Sequence, residues 1–278
     1  NDYLKEGNNV LTLKIFRWST GSYLECQDFW RISGIERDVF LYSQPKASVQ
    51  DFRIVSTLDD SYRNGIFRLD MELKNHRTNT AGLSIGYELL DNNGKVVANG
   101  EETVDVLAGK EGTVSFSKEL PEVKTWTSEA PNLYKLLMTV KENGKVTEVI
   151  PYNVGFRRIE IKEIDQKGTN GKNYHVLFIN GQPLKLKGVN IHEHNPLTGH
   201  YVDEALMRKD LELMKRNNIN TVRLCHYPQD RRFYELCDEY GIYVYDEANI
   251  ESHGMYYSLS KGGTLGNNPE WLKPHLYR

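Results

Sequence analysis

Thr221-Val222-Arg223-Leu224-Cys225-His226, then Pro228 through Gly241, then Ile242-Tyr243-Val244-Tyr245, is the stretch that decides the fold. Two short apolar runs enclose a segment holding Phe233, Leu236 and Cys237, opened by Pro228 and closed by Gly241, as a helix would be. Strand, helix and strand on links this short make a parallel β/α unit, because parallel neighbours need a crossover between them. The same pattern extends upstream. Leu184-Lys185-Leu186-Lys187-Gly188-Val189 reads as a strand entered through the turn Asn180-Gly181-Gln182-Pro183. Asp203 supplies an N-cap for a helix over 204–217, where Leu206, Met207, Leu211 and Met214 fall close to helical spacing. Residues 158–278 are therefore assigned to the N-terminal part of a (β/α)8 TIM barrel, a fold that typically takes ~250 residues.

Upstream of residue 158 the period is two. Strands are expected at Val10–Phe16, Ile35–Tyr42, Val49–Leu58, Ile66–Leu73, Leu83–Leu89, Lys95–Val97, Thr113–Phe116, Leu133–Val140 and Val146–Tyr152. Asp91-Asn92-Asn93-Gly94 and Glu142-Asn143-Gly144-Lys145 are hairpin turn sequences. Short strands at this rhythm make an immunoglobulin-like β-sandwich, placed at 46–157. Residues 1–45 read as the closing part of a separate β-domain. The whole is thus a multidomain β plus α/β chain, and it reads as an internal piece of something longer.

Its 278 residues suit more than one domain. No run of about 18 apolar residues occurs, so no transmembrane helix is expected. Net charge is −3, with no basic stripe, which argues against nucleic acid as partner. Three cysteines (Cys26, Cys225, Cys237) with no CxxC spacing argue against a disulfide framework; Cys225 and Cys237 read as packing residues. The chain opens on Asn1 with no apolar leader core, which leaves cytoplasm and periplasm equally open.

Polar groups gather at the carboxyl end of each parallel strand. Asn190, His192, Glu193 and His194 follow the first; Arg223 and His226 belong to the second; Asp246, Glu247, Asn249, Glu251 and His253 follow the third. In α/β barrels the active site lies at that end, because the loops there converge on one face. Three clusters in register point to a catalytic cleft. His192-x-His194 is not the helical H-E-x-x-H zinc motif, although a His-x-His pair after a first barrel strand can hold zinc. Glu251 and His253, two apart, face the same way in an extended segment and could share a hard cation such as Mg²⁺. Arg223, a charge on a barrel strand, needs a carboxylate to orient. The charge-dense Glu25–Asp38 segment reads as buried ion pairs at a domain seam.

These motifs resemble the β-galactosidases of glycoside hydrolase family 2. The resemblance runs through Arg17-Trp18-Ser19, Gly21-Ser22-Tyr23-Leu24-Glu25, Gln27-Asp28-Phe29-Trp30-Arg31, Ser33-Gly34-Ile35, Pro131-Asn132-Leu133-Tyr134 and Val154-Gly155-Phe156-Arg157. It continues through Gly188-Val189-Asn190, His192-Glu193-His194, His226-Tyr227-Pro228 and Asp246 to Met255, covering the whole chain in order. It implies that 1–45 ends a jelly-roll sugar-binding domain, and that an intact bacterial parent hydrolyses terminal β-D-galactosides such as lactose with retention, in a homo-oligomer. It further implies that Asp28 binds Na⁺ and the galactose 6-hydroxyl, that His192 and His226 contact sugar hydroxyls, and that Arg223 orients the nucleophile. Glu251 and His253 would hold Mg²⁺. Cys225, where many relatives carry Ser, is expected to point away from the His226 face. The two catalytic glutamates of the family lie on later strands, the first in an Asn-Glu pair; none follows Glu251, so this chain alone is expected to be inactive. The rivals are a metal-dependent amidohydrolase built on His192-x-His194, a non-catalytic carbohydrate-binding or structural module, and a β-glucuronidase or β-mannosidase of the same family.

Overall fold

The computed structural model describes residues 3–27, 29–30, 32–253 and 265–278. Asp28, whose role the resemblance implies, lies outside them.

Seven antiparallel strands form the sandwich: β1 (Ala47–Leu58), β2 (Gly65–Asn75), β3 (Ala81–Leu90), β4 (Val96–Val106), β5 (Glu111–Leu120), β6 (Tyr134–Glu142) and β7 (Lys145–Val154). One sheet runs β1-β2-β5 and the other β4-β3-β6-β7. Alternation decides which faces meet. Phe67, Leu69, Met71 and Leu73 of β2 are fully buried, and so are Ile85 and Leu89 of β3 and Leu136 of β6. The residues between them turn outward, as period-two side chains must. Asn143 (φ 50°) and Gly144 (φ 75°) carry the two left-handed conformations that a two-residue hairpin between β6 and β7 requires.

The strands expected at Val10–Phe16 and Ile35–Tyr42 are not found. Val10, Phe40 and Leu41 are more than three-quarters exposed. A strand persists only when a neighbour satisfies its backbone groups, and among the described residues none pairs with either run. The segment holds one helical turn, α1 (Gly21–Leu24), whose Leu24 is fully buried.

After the sandwich comes an antiparallel hairpin, β8 (Ile159–Lys167) with β9 (Asn173–Ile179), extended by β10 (Gln182–Pro183). Three parallel strands follow in the order β11 (Gly188–Ile191), β12 (Thr221–Leu224), β13 (Tyr243–Tyr245). They alternate with α2 (Glu204–Arg216) and α3 (Arg231–Tyr240), as the sequence reading requires. Asp203 caps α2 by accepting from the Leu206 N–H. Asp230, not Pro228, caps α3: its carboxylate accepts from the Arg232 N–H, so the helix starts three residues later than expected. Gly241 ends α3 in the left-handed conformation (φ 73°). Val222 and Leu224 point into a core shared with Met207, Leu211, Phe233 and Leu236 of the helices. The opposite sheet face presents Asn190, Arg223 and Tyr245 in register. A short run, α4 (Leu272–Leu276), completes the described chain.

Sandwich and β/α region dock on the loop before β6. Trp126, 2% exposed, donates its indole N–H to the Asp238 carbonyl at 2.8 Å. Arg157 lies over the same ring and pairs with the Asp238 carboxylate at 3.3 Å. Lys215 reaches the Ser128 carbonyl at 2.6 Å.

Candidate active site

Three parallel strands bring their carboxyl ends to one edge, and the first segment crosses that edge. The Cys26 N–H donates to the Glu251 carbonyl at 2.7 Å, and Cys26 bridges Ser252 in the parallel sense. Gln27 hydrogen-bonds the Asn249 side chain. Phe29 stacks flat on the His192 ring, with centroids 4.4 Å apart, while Trp30 meets His194 edge-on. Arg37 pairs with Glu193 at 2.6 Å and donates to the Pro228 carbonyl at 3.0 Å. Glu193 is buried and accepts the Asp230 N–H at 2.8 Å as well, so a charge taken out of water is met on both oxygens. Between segment and strand ends lies a cleft of about 730 Å³, lined by Trp18, Cys26, Gln27, Trp30, Tyr227 and Asn249 among others.

A polar cluster occupies the strand ends. Arg223 approaches Glu247 Oε2 at 2.7 Å, an ion-pair contact without hydrogen-bond alignment, and reaches His226 Nδ1 at 3.0 Å. His226 Nδ1 also lies 3.1 Å from Glu247 Oε1 and 3.9 Å from Glu251 Oε2. Arginine can only donate and a carboxylate can only accept, so Nδ1 serves one of them at a time. The Arg223 partner is thus Glu247, a residue that the sequence places in the cluster without linking it to Arg223. Glu251 Oε1 lies 3.7 Å from His253 Nδ1; its Oε2 is buried with no hydrogen-bond donor.

His192 sits 5.6 Å, ring to ring, from His226. Its Nδ1 is buried without a hydrogen-bond partner. Burial, aided by the neighbouring His226, His194, His200 and Arg223, holds its pKa below the ordinary histidine value, so it favours the neutral ring. His194 is exposed and turned to Trp30 rather than into the cluster.

Cys225 corrects an expectation. One donor atom from each of His192, Cys225 and His226 lies within 4.8 Å of the others, so the Cys225 thiol faces the histidines instead of pointing away. β12 ends at Leu224, and the alternation on which the expectation rested ends with it. Cys225 is 3% exposed and its thiol donates to the Ile191 carbonyl at 3.2 Å, so its reading as a packing residue stands beside this new orientation. The stacking of Phe29 had no clear signal in the sequence beyond its place beside Asp28, whereas the pair of Arg37 with buried Glu193 is of the kind that the charge-dense Glu25–Asp38 segment led us to expect.

The comparisons agree with this geometry in chain order. A model of the glycosyl hydrolases family 2 sugar binding domain matches residues 1–45, a glycosyl hydrolases family 2 model matches 47–157, and the family 2 TIM barrel domain matches 172–278. The chain belongs to glycoside hydrolase family 2. It combines the end of a jelly-roll sugar-binding region, an immunoglobulin-like sandwich and the opening β/α units of a TIM barrel. Similar curated proteins include a beta-galactosidase of Vibrio cholerae, 42% identical over 99% of this chain and 26% of that protein. A Streptococcus thermophilus beta-galactosidase is 42% identical over 100% of this chain and 26% of its own length. This family 2 chain therefore spans about a quarter of the curated relatives that it matches. Among solved structures, a Parabacteroides merdae beta-glucuronidase aligns with TM-score 0.69 and 26% identity over 81% of this chain and 27% of that one. A Bacteroides uniformis beta-glucuronidase aligns with TM-score 0.71 at 24% identity, again over 81% and 27%, and speaks for the fold alone. Among the described residues, no helix is long and apolar enough to cross a membrane.

Proposed function

We propose that this chain forms the galactose-facing wall of a retaining β-galactosidase that hydrolyses terminal non-reducing β-D-galactosides such as lactose. One observation carries the reading: the first segment lays Cys26, Gln27, Phe29 and Arg37 across the ends of β11, β12 and the β13 loop. Asp28 lies in the sequence between Gln27 and Phe29, which are anchored to Asn249 and His192. Substrate specificity rests on the relatives: the matched beta-galactosidases are 42% identical over essentially the whole chain. We divide the chain at 1–45, 46–157 and 158–278.

His192 and His226 contact sugar hydroxyls. A neutral His192 can donate to one hydroxyl and accept from another, which a charged ring cannot. Arg223 fixes Glu247 and His226, and in the whole protein it orients the nucleophile. Glu251, whose buried Oε2 lacks a donor, fits a hard cation, with His253 beside its other oxygen. Mg²⁺ bound there supplies positive charge to a cluster rich in carboxylates. Asp28 is assigned to Na⁺ and the 6-hydroxyl. The barrel is completed by later strands, and the whole protein self-associates.

A retaining glycosidase needs two carboxyl groups about 5 Å apart, one as acid/base and one as nucleophile. Glu247 is assigned to Arg223 and His226 and Glu251 to the cation, so we take neither as acid/base or nucleophile. Residues 1–278 alone therefore turn over no galactoside. In the whole protein, Asp28→Ala should weaken galactoside affinity and its Na⁺ dependence, and Glu251→Gln should weaken Mg²⁺ binding. Unchanged kinetics and an unchanged metal titration would sink these assignments. Millimolar galactose binding by residues 1–278, with no turnover, is the result for a carbohydrate-binding module.

A further inference from the structure

Cys225 stands between two imidazoles, and the sugar reading gives it no task. We propose that His192, Cys225 and His226 form a binding site for one soft divalent cation, of the Zn²⁺ or Cd²⁺ class, distinct from the hard-cation position at Glu251.

The three donor atoms lie within 4.8 Å of one another. Tetrahedral zinc with bonds of about 2.0–2.3 Å sets its ligands roughly 3.5 Å apart, so side-chain rotations of about an ångström close the set. Three protein ligands leave the fourth position open to water. One thiolate with two imidazoles selects zinc-like ions over Mg²⁺, which takes oxygen ligands.

The surroundings complete the site as metal sites are completed elsewhere. A histidine ligand usually gives its second nitrogen to a carboxylate, which fixes the tautomer and strengthens the ligand. His226 has that arrangement: Glu247 Oε1 lies 3.1 Å from Nδ1, leaving Nε2 as the metal donor. Arg223 places a positive charge 3.0 Å from the same Nδ1 and opposes a cation. Glu247 at 2.7 Å from that guanidinium offsets it, and Glu251 adds a second negative charge 3.9 Å from His226. On binding, the Cys225 thiol releases its proton to solvent and gives up its hydrogen bond to the Ile191 carbonyl, and a sulfur–metal bond forms in its place. No oxidant or reductant takes part.

The site depends on these contacts alone and stands whether or not galactose binds nearby. If it does bind there, cation and sugar compete, because both use His192 and His226.

Cd²⁺ titration of the reduced chain, followed by ultraviolet thiolate-to-cadmium charge transfer, tests the proposal. One equivalent should bind with proton release, and excess Mg²⁺ should leave the band unchanged. Cys225→Ser should abolish the band, Cys26→Ser should keep it, and His192→Ala and His226→Ala should each weaken affinity at least tenfold. Circular dichroism establishes that each variant is folded. Zinc X-ray absorption on the unsubstituted chain needs no variant and should show one sulfur and two imidazole nitrogens around the metal. Absence of a band, a band that survives Cys225→Ser, affinity indifferent to both histidines, or a zinc shell without sulfur would overturn the proposal.

Discussion

Replacing Arg37 by Met should detach the first segment from the strand ends, and the structure sets the size of the effect. The guanidinium makes two contacts across the seam, 2.6 Å to Glu193 and 3.0 Å to the Pro228 carbonyl. Hydrogen bonds of this charged kind contribute about 1.5–3 kcal/mol each, a ceiling near ~6 kcal/mol. The Arg37 side chain is 45% exposed, so water screens much of that and replaces part of what is lost; roughly 2 kcal/mol remains. The Glu193 side chain, 8% exposed, keeps the Asp230 N–H as its remaining partner. Its need for a counter-charge is why the loss should not be smaller. A double-mutant cycle with Glu193→Gln isolates the pair, using urea unfolding together with hydrogen exchange at the Asp230 amide. A coupling of about 1–2 kcal/mol and faster exchange in each single variant are expected. Coupling below about 0.3 kcal/mol, with Asp230 exchange unchanged, would show that the seam is held by something else.

Other consequences concern the scaffold. Phe67→Ala, at a fully buried position between the two sheets, should cost the sandwich about 3–5 kcal/mol in denaturant unfolding; a loss under 1 kcal/mol would mean a looser core. Gly241→Ala forces a side chain into a left-handed residue where its Cβ would stand 2.5 Å from the Ser128 carbonyl oxygen, so the melting temperature should fall by several degrees. Asp59 is held down to about 2 from 3.8, chiefly by the Ser61 hydroxyl, then by Asn64 and neighbouring amides. The folded state thus favours its charged form, and the stability it contributes is present above pH 3.8 and lost as pH falls through about 2. Asp59→Asn should therefore flatten the acid limb of the stability curve, and an unaltered limb would refute the assignment. Trp126→Phe keeps the ring but removes the donor to the Asp238 carbonyl, and should loosen the seam by about 1 kcal/mol as read by exchange at α3 amides.

Legibility in the sequence followed burial. Strands β2, β3 and β6 bury one face, so their alternation could be read directly, and their Asn-Gly and Asn-Asn-Gly turns marked the hairpins. Asp203 and Gly241 announced α2 and α3 through caps that act locally. The β8–β9 hairpin escaped notice because it packs few residues away: Ile161 is 72% exposed and charges fill the positions around it. Its turn at Asn170-Gly171 was the available signal. Val10–Phe16 and Ile35–Tyr42 have strand patterns, yet pattern makes a strand only with a partner alongside. In the site, each strand end was visible as a polar cluster, but the links were not. Arg223 to Glu247, Phe29 to His192 and Arg37 to Glu193 join residues far apart in the chain, and no local periodicity encodes them. Cys225 was misplaced because strict alternation was carried as far as His226, two residues beyond the end of β12.

The most direct measurement is a crystal structure of the whole protein with a non-hydrolysed β-galactoside bound. Its pyranose ring should rest against His192 and His226, with the 6-hydroxyl at Asp28 and Glu251 beside a cation. Sugar density on another face, with those four side chains untouched, would contradict the account.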